Sequence, residues 1–226
     1  MLHLYGIVEP RTRCTGDGLG GEPLINVDCG DVDAVVSEHP ESLGPTPVEQ
    51  ALWEHEGVLE ALLEVGPVLP IRFGVRFVDR EDLRVELRPR SAELADALAR
   101  VRGRVEVGVR LLAREHTPEA SSEPVAKVAG PGARYLFERL GERREAARKL
   151  ELVRSRLAPL AIAETSRLLP RPGTPATAAF LVERSDLERF RREAQELERE
   201  FRDVALICTG PWPPYNFAGE PLRETA

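Results

Sequence analysis

The sequence predicts an α+β protein of two domains, a smaller N-terminal sheet-and-helix domain over residues 1–102 and a C-terminal ferredoxin-like domain over 103–226. Three observations carry this. The chain has 226 residues, enough for one large domain or two small ones. From residue 104 onward, strand and helix patterns follow one another as β-α-β-β-α-β, the split βαβ order. Before residue 102, period-2 apolar runs and helical stripes alternate in a different order, which places the boundary near that residue.

In the first half, Leu2–Val8 reads as a strand, and residues 9–22 as a Gly-rich, flexible connection. Short apolar runs at 23–28 and 32–37 read as two more strands. Thr46, Pro47 and Glu49 form a helix start with a capping box, and Val48, Leu52, Leu59 and Leu62–Leu63 hold helical spacing until Gly66 and Pro67 stop it. Val68–Phe77 reads as a strand. Pro70 removes a ladder donor and so places that strand at a sheet edge or on a bulge. Residues 80–101 read as a helix broken or kinked at Pro89 and restarted at Ser91, with Leu94, Leu98 and Val101 on one face.

In the second half, residues 104–113 alternate polar and apolar as a strand does. A Ser-, Pro- and Glu-rich loop covers 114–130. A long helix runs from Pro131 to about Leu160, with Leu136, Leu140, Ala147, Leu150, Val153 and Leu157 on one side. A strand at 161–168 leads to a Pro-rich turn at 170–175, and Ala176–Glu183 is a further strand. Ser185 and Glu188 read as a capping box. Leu187, Phe190, Ala194, Leu197 and Phe201 recur at steps of 3, 4, 3 and 4, a single helical stripe. Val204–Thr209 is the last strand. It runs into Gly210–Phe217, where Pro211, Pro213 and Pro214 stiffen an extended segment bearing Trp212, Tyr215 and Phe217.

Composition narrows the function. Hydrophobic residues make up 42% and charged residues 31%, a globular balance. The formal net charge of −7 argues against a nucleic-acid partner, since phosphate binding needs clustered Lys and Arg. The basic residues are almost all Arg, with only Lys127 and Lys149 as lysines. Cys14, Cys29 and Cys208 are an odd number at wide spacing, which supports neither a disulfide framework nor a zinc site. With no apolar stretch of membrane-spanning length and no basic leader before an apolar run, no membrane partner and a cytoplasmic location are expected.

No motif carries chemistry. Gly16–Gly21 lacks the Gly-Lys-Ser/Thr of a phosphate loop and opens a strand, not a helix. His3, His39, His55 and His116 have no second ligand at helical spacing, and His55, between Glu54 and Glu56, reads as part of a solvated helix face. There is no Gly-x-Ser-x-Gly, and no carboxylate pair stands out. No catalytic, metal or cofactor residue is therefore expected, and no cofactor. Candidate partner-binding residues remain. Arg72 and Arg76 share one strand face opposite Ile71, Phe73 and Phe77, either as a basic edge facing a partner or as internal ion pairs. Trp212, Tyr215 and Phe217 either pack over the body of the protein or form a docking surface.

Leu4-Tyr-Gly-Ile-Val8, Ala34-Val-Val-Ser37, Val105-Glu-Val-Gly-Val109 and Pro131-Gly-Ala-Arg-Tyr-Leu136 recur in one known family. Two more specific segments join them, Pro67-Val-Leu-Pro-Ile-Arg-Phe-Gly74 and Gly210-Pro-Trp-Pro-Pro-Tyr-Asn-Phe217. Together these span nearly the whole chain, which resembles the gas-vesicle synthesis proteins of the F and L type; the Gly-rich loop at 16–21 is not part of the pattern. The resemblance implies a non-enzymatic accessory or minor structural protein needed to build gas vesicles, the gas-filled, protein-walled organelles of buoyancy. Its implied partners are the hydrophobic shell protein and other accessory proteins, and its implied location is cytoplasmic and vesicle-associated. The rival class is a small-molecule enzyme using a cleft between the two α+β domains.

Overall fold

The computed structural model describes residues 1–39, 48–113, 131–169, 176–201 and 203–219. The chain forms two compact units, Met1–Glu106 together with the chain from Trp212 onward, and Val107–Pro211. The division falls four residues beyond the expected boundary at 102, and the tail, expected with the C-terminal domain, belongs with the first unit. The cause is polar and apolar anchoring of the tail to first-unit residues, described below.

The first unit holds a five-stranded sheet. Strands β1 (Leu2–Val8), β2 (Ile25–Asp28), β3 (Asp33–Glu38) and β4 (Val68–Pro70) lie in the order β2-β3-β1-β4, and β5 (Arg76–Phe77) also pairs with β1. β1 is antiparallel to β3, β4 and β5. All seven residues of β1 are buried, because both sheet faces are covered, which explains its nearly unbroken apolar run. The expected single strand 68–77 is instead two short strands parted by a turn at residues 73–74, where Gly74 takes φ +101. Arg72 therefore lies outside any strand and does not share a strand face with Arg76. Pro70 ends β4 at the edge of the sheet, where a missing donor is tolerated.

A bulge in β1 decides which side chains meet which helix. The pairing passes from Leu4↔Val36 to Gly6↔Val35, leaving Tyr5 as the extra residue. Alternation therefore shifts: Leu2, Leu4 and Ile7 join one core cluster. That cluster is completed by Leu83 and Leu87 of α2 (Arg80–Leu87) and by Leu94, Ala97, Leu98 and Val101 of α3 (Ser91–Val101). A 3₁₀ turn at Arg88–Arg90, with Pro89 in its first positions, separates α2 from α3, as the proline break predicts. α1 (Val48–Val65) lies over Gly6, where an added Cβ would come within 3.2 Å of Leu59. Its buried face is Ala51, His55, Val58, Leu59, Leu62 and Leu63, while Val48 and Leu52 are exposed. Thr46 and Pro47 of the predicted start lie outside the described residues.

The Gly-rich segment is not a loose connection. Leu19 is buried, its backbone N–H donates to the Tyr5 hydroxyl at 2.7 Å, and Gly20 N–H donates to Glu54 at 2.9 Å. Gly18 sits so close that a Cβ there would lie 2.1 Å from the Tyr5 oxygen.

The second unit holds a four-stranded sheet of β6 (Arg104–Ala113), β7 (Ala163–Leu168), β8 (Ala176–Glu183) and β9 (Val204–Trp212), in the order β7-β8-β6-β9. β7 and β8 are antiparallel, from Ala163↔Leu181 to Leu168↔Ala176. Helices α4 (Pro131–Leu157) and α5 (Leu187–Glu200) supply Leu150, Val153, Leu157, Phe190, Ala194 and Leu197 to its core. The α5 stripe read from sequence is buried at every position, Leu187 to Phe201, and Phe180 and Phe190 rings meet at 5.2 Å. Leu140 of α4, expected on the apolar side, is exposed. The expected Ser185–Glu188 capping box does not form, since a 3₁₀ turn at Arg184–Asp186 precedes α5 and Glu188 pairs with Arg191 instead. The loop at 114–130 and the turn at 170–175 lie outside the described residues.

Candidate functional site

The tail is built by its prolines, though not as an extended rod. β9 continues through Trp212, past the expected end at Thr209. The chain then turns: Tyr215 N–H donates to the Pro213 carbonyl at 2.8 Å and Phe217 N–H to the Pro214 carbonyl at 3.0 Å. Pro213 and Pro214 are buried.

This turn grips the first unit at three points. The Tyr215 hydroxyl donates to Glu56 of α1 at 2.7 Å. The backbone N–H and side-chain amide of Asn216 both donate to the carboxylate of Glu106, at 2.8 and 2.6 Å. Phe217 packs against the cluster of β1, α2 and α3. Burial, helped by the Glu56 bond and the nearby Glu106 charge, pushes the Tyr215 phenol far up, so it stays a donor. Burial also raises the Glu106 carboxyl, with the two Asn216 bonds acting in the opposite direction. Tyr215 and Phe217 therefore serve packing first. Trp212 is 40% exposed and Arg72 is exposed, while Arg76 is half-buried opposite His3 in the β1–β5 pairing.

Three histidines that are far apart in sequence meet beneath α1. His3 on β1 and His55 on α1 lie within hydrogen-bond distance, Nε2 to Nδ1 at 2.9 Å, and both are buried. His55 Nε2 faces the Ile71 carbonyl at 2.9 Å and must donate to it. Its Nδ1 is then the acceptor and His3 Nε2 carries the proton between them. A separate hydrogen-bonded chain beside the pair links Tyr5 OH, Ser37 Oγ and His39 Nε2 in two steps of 2.7 Å, and the His3 and Tyr5 rings meet edge to face at 4.8 Å. Burial lowers His3 to about 3, with His55, His39 and Arg76 adding to the effect. Burial likewise lowers His55 and His39. The solvated reading of His55 is thus corrected: it lies on the stripe of Ala51, Val58, Leu59 and Leu62, at spacings of 4, 3, 4 and 7, and that stripe was the available signal. Sequence reading also missed Glu56, Glu106 and Asn216, whose roles depend on contacts 110 or more residues apart.

Chemically, these groups hold structure. The Tyr215 hydroxyl is engaged by Glu56, the Glu106 carboxylate by Asn216, His3 Nε2 by His55, and His55 by His3 and the Ile71 carbonyl. Among the described residues, no three His, Cys, Asp or Glu side chains are grouped to hold a metal ion. Burial raises the thiols of Cys14 and Cys29 to about 11 and raises Cys208, away from the nucleophilic range. No helix among the described residues is long and apolar enough to cross a membrane.

Comparison with known proteins agrees with the resemblance read from the sequence. Gas vesicle protein L of Streptomyces sp. (strain CB03234) is 30% identical over 258 residues, covering 100% of this chain and 96% of the relative. Gas vesicle protein F2 of Halobacterium salinarum is 28% identical over 222 residues, covering 96% and 91%. Crystal structures of GvpF from Anabaena sp. PCC7120 and from Microcystis aeruginosa share the fold, with TM-scores of 0.81 and 0.80 at 21% identity, over 97% of this chain and 96% and 99% of theirs. The model of the gas vesicle synthesis protein GvpL/GvpF family matches residues 1–219, and the chain belongs to that family.

Proposed function

We propose that this protein acts in gas-vesicle assembly as a non-enzymatic accessory protein, holding the hydrophobic shell protein and other accessory proteins through shaped surfaces. Family membership supports the assembly role. The observation that carries the non-catalytic reading is the direction of the side chains. The buried ionisable groups are engaged inside the protein, His3 with His55 and Glu106 with the Asn216 amides, whereas Trp53 and Trp212 turn to solvent. Large apolar rings facing water suit binding another polypeptide. Trp212 and Arg72 are the tail and turn residues placed to meet a partner, with Tyr215 and Phe217 fixing the tail and Arg76 supporting the β5 edge.

Two domains belong to this reading. The order β7-β8-β6-β9, with α4 between β6 and β7 and α5 between β8 and β9, supports a ferredoxin-like C-terminal domain. The N-terminal sheet with α1 and α2–α3 forms the other domain, and the tail closes onto it. A vesicle-associated site of action follows from the partners. Co-purification with the major shell protein tests the function. Failure to associate, together with normal vesicles in a deletion strain, would refute it.

A further inference from the structure

The outward face of α1 is unlike the rest of the first unit. The helix carries Glu49, Glu54, Glu56, Glu60 and Glu64 and neither Lys nor Arg. Glu54 and Glu56 are engaged with Gln50, Gly20 and Tyr215 along its flanks. Glu49, Trp53, Gly57, Glu60 and Glu64 form the exposed stripe, at steps of 4, 4, 3 and 4. Trp53 is 70% exposed, and Val48 at 75% and Leu52 at 42% extend apolar surface toward the start of the helix.

One exposed tryptophan needs no explanation. Gly57, one turn beyond it, is a second and independent feature. A glycine inside a helix weakens it relative to alanine. A Cβ built at Gly57 meets nothing within 4 Å, so nothing inside the protein requires the missing side chain. A flat notch beside a large exposed ring suits the close approach of another helix. The all-acidic frame selects a partner of opposite charge. It also disfavours a two-fold contact of α1 with a second copy of itself, which would bring two sets of glutamates together.

We infer that this face, centred on Trp53 and Gly57, docks a helix of another polypeptide that presents small or aliphatic residues flanked by Arg or Lys. This rests on the assembly reading above and names the partner chemistry for it. Trp53 covers the aliphatic stripe and stacks on a flanking cation, Gly57 admits the backbone, and Glu49 and Glu60 pair with the basic flanks.

The test uses the full-length protein and, as probes, the shell protein and each accessory protein of its gas-vesicle gene cluster, purified singly. Affinity is measured for the wild type and for Gly57→Ala, Trp53→Ala and Glu60→Arg, with the melting temperature of each. At least one probe is expected to bind the wild type, more weakly as salt rises. Gly57→Ala is expected to raise Tm by about 2–4 °C and yet weaken binding about tenfold or more. Trp53→Ala and Glu60→Arg are expected to weaken binding while leaving Tm nearly unchanged. If a probe binds the wild type and all three variants equally, or binds independently of salt, the surface assignment is wrong and the assembly reading stands. Self-association that is lost in Trp53→Ala would assign the face to a second copy and overturn the inference. If no probe binds the wild type, this inference fails, and if a deletion strain also makes normal vesicles the assembly reading fails with it.

Discussion

His3 Nε2 and His55 Nδ1 lie 2.9 Å apart, buried between β1 and α1, and share one proton. The pair is stable only as neutral imidazoles. A proton added to His3 Nδ1 would create a donor with no acceptor among the described residues, next to Arg76.

Acid should therefore loosen the protein. With His3 lowered to about 3 and His55 lowered as well, the unfolded chain binds protons first as pH falls below the ordinary histidine range near 6.5. Stability is fully present above that range and is lost progressively as pH falls toward the folded values, by about 1 kcal/mol per pH unit for each histidine. Arg76 on β5 and His39 after β3 also act on His3, while Glu22 acts on His39 and Glu54 of α1 acts on Tyr5. Denaturant melts between about pH 7.5 and 5 span the ordinary histidine range and report these histidines. His3→Gln should reduce the slope by removing one of the three lowered histidines, His3, His39 and His55. A flat profile in the wild type would contradict the pairing.

A glycine pair separates steric from propensity effects. At Gly18 a Cβ would lie 2.1 Å from the Tyr5 hydroxyl, which also accepts from Leu19 and meets Ser37. Gly18→Ala should destabilise by about 1–3 kcal/mol, as overpacking does. Gly141, in α4, has nothing within 4 Å of a built Cβ. Gly141→Ala should stabilise by about 0.5–1 kcal/mol. Chemical denaturation of both variants checks the signs, and equal signs would contradict the geometry.

These cases show what was legible in the sequence. The α5 stripe and the Pro89 break could be read because helical periodicity and proline sterics act over a few residues. The strand order could be anticipated only as a pattern of elements. The histidine cluster could not be read, because His3 and His55 are 52 residues apart and the Tyr5 bulge switches which β1 side chains face α1. Val68–Phe77 looked like one strand because its apolar alternation is intact, while a single positive-φ glycine, Gly74, divides it. The tail aromatics were visible as a feature. That Tyr215 and Phe217 are held inward while Trp212 is not depends on Glu56 and Glu106, which no local pattern connects to them.

The tail offers a test of its own. Tyr215→Phe removes the hydroxyl that donates to the Glu56 carboxylate and should cost about 1–2 kcal/mol, since bonds to charged groups exceed neutral ones. Glu106→Ala should cost more, about 2–4 kcal/mol, because the two donors of Asn216 then lose both acceptors. Limited proteolysis near residues 212–219 should accelerate in both variants, more in Glu106→Ala. Glu106→Gln keeps one acceptor and turns an amide N–H₂ toward the other donor, so it should fall between wild type and Glu106→Ala. If all three variants melt with the wild type, the tail is not anchored by these bonds.

The second unit should fail at its aromatic centre. Phe180 on β8 and Phe190 on α5 are fully buried with ring centroids 5.2 Å apart, so each fills space against the other and against the sheet. Phe190→Ala should cost about 3–5 kcal/mol through lost burial and the cavity left behind. The surface pairs that join α4 to α5, Arg156 to Glu193 and Glu200, are exposed enough to matter far less. Glu193→Ala should cost far less than Phe190→Ala, and less still at high salt. Melting both variants at low and high salt separates the two mechanisms. The Phe190 deficit should persist in salt while the Glu193 deficit shrinks, because one arises from packing and the other from screened charge. A Glu193 loss equal to that of Phe190 would mean that the helices are held to the sheet by charge instead of by the stripe that the sequence shows.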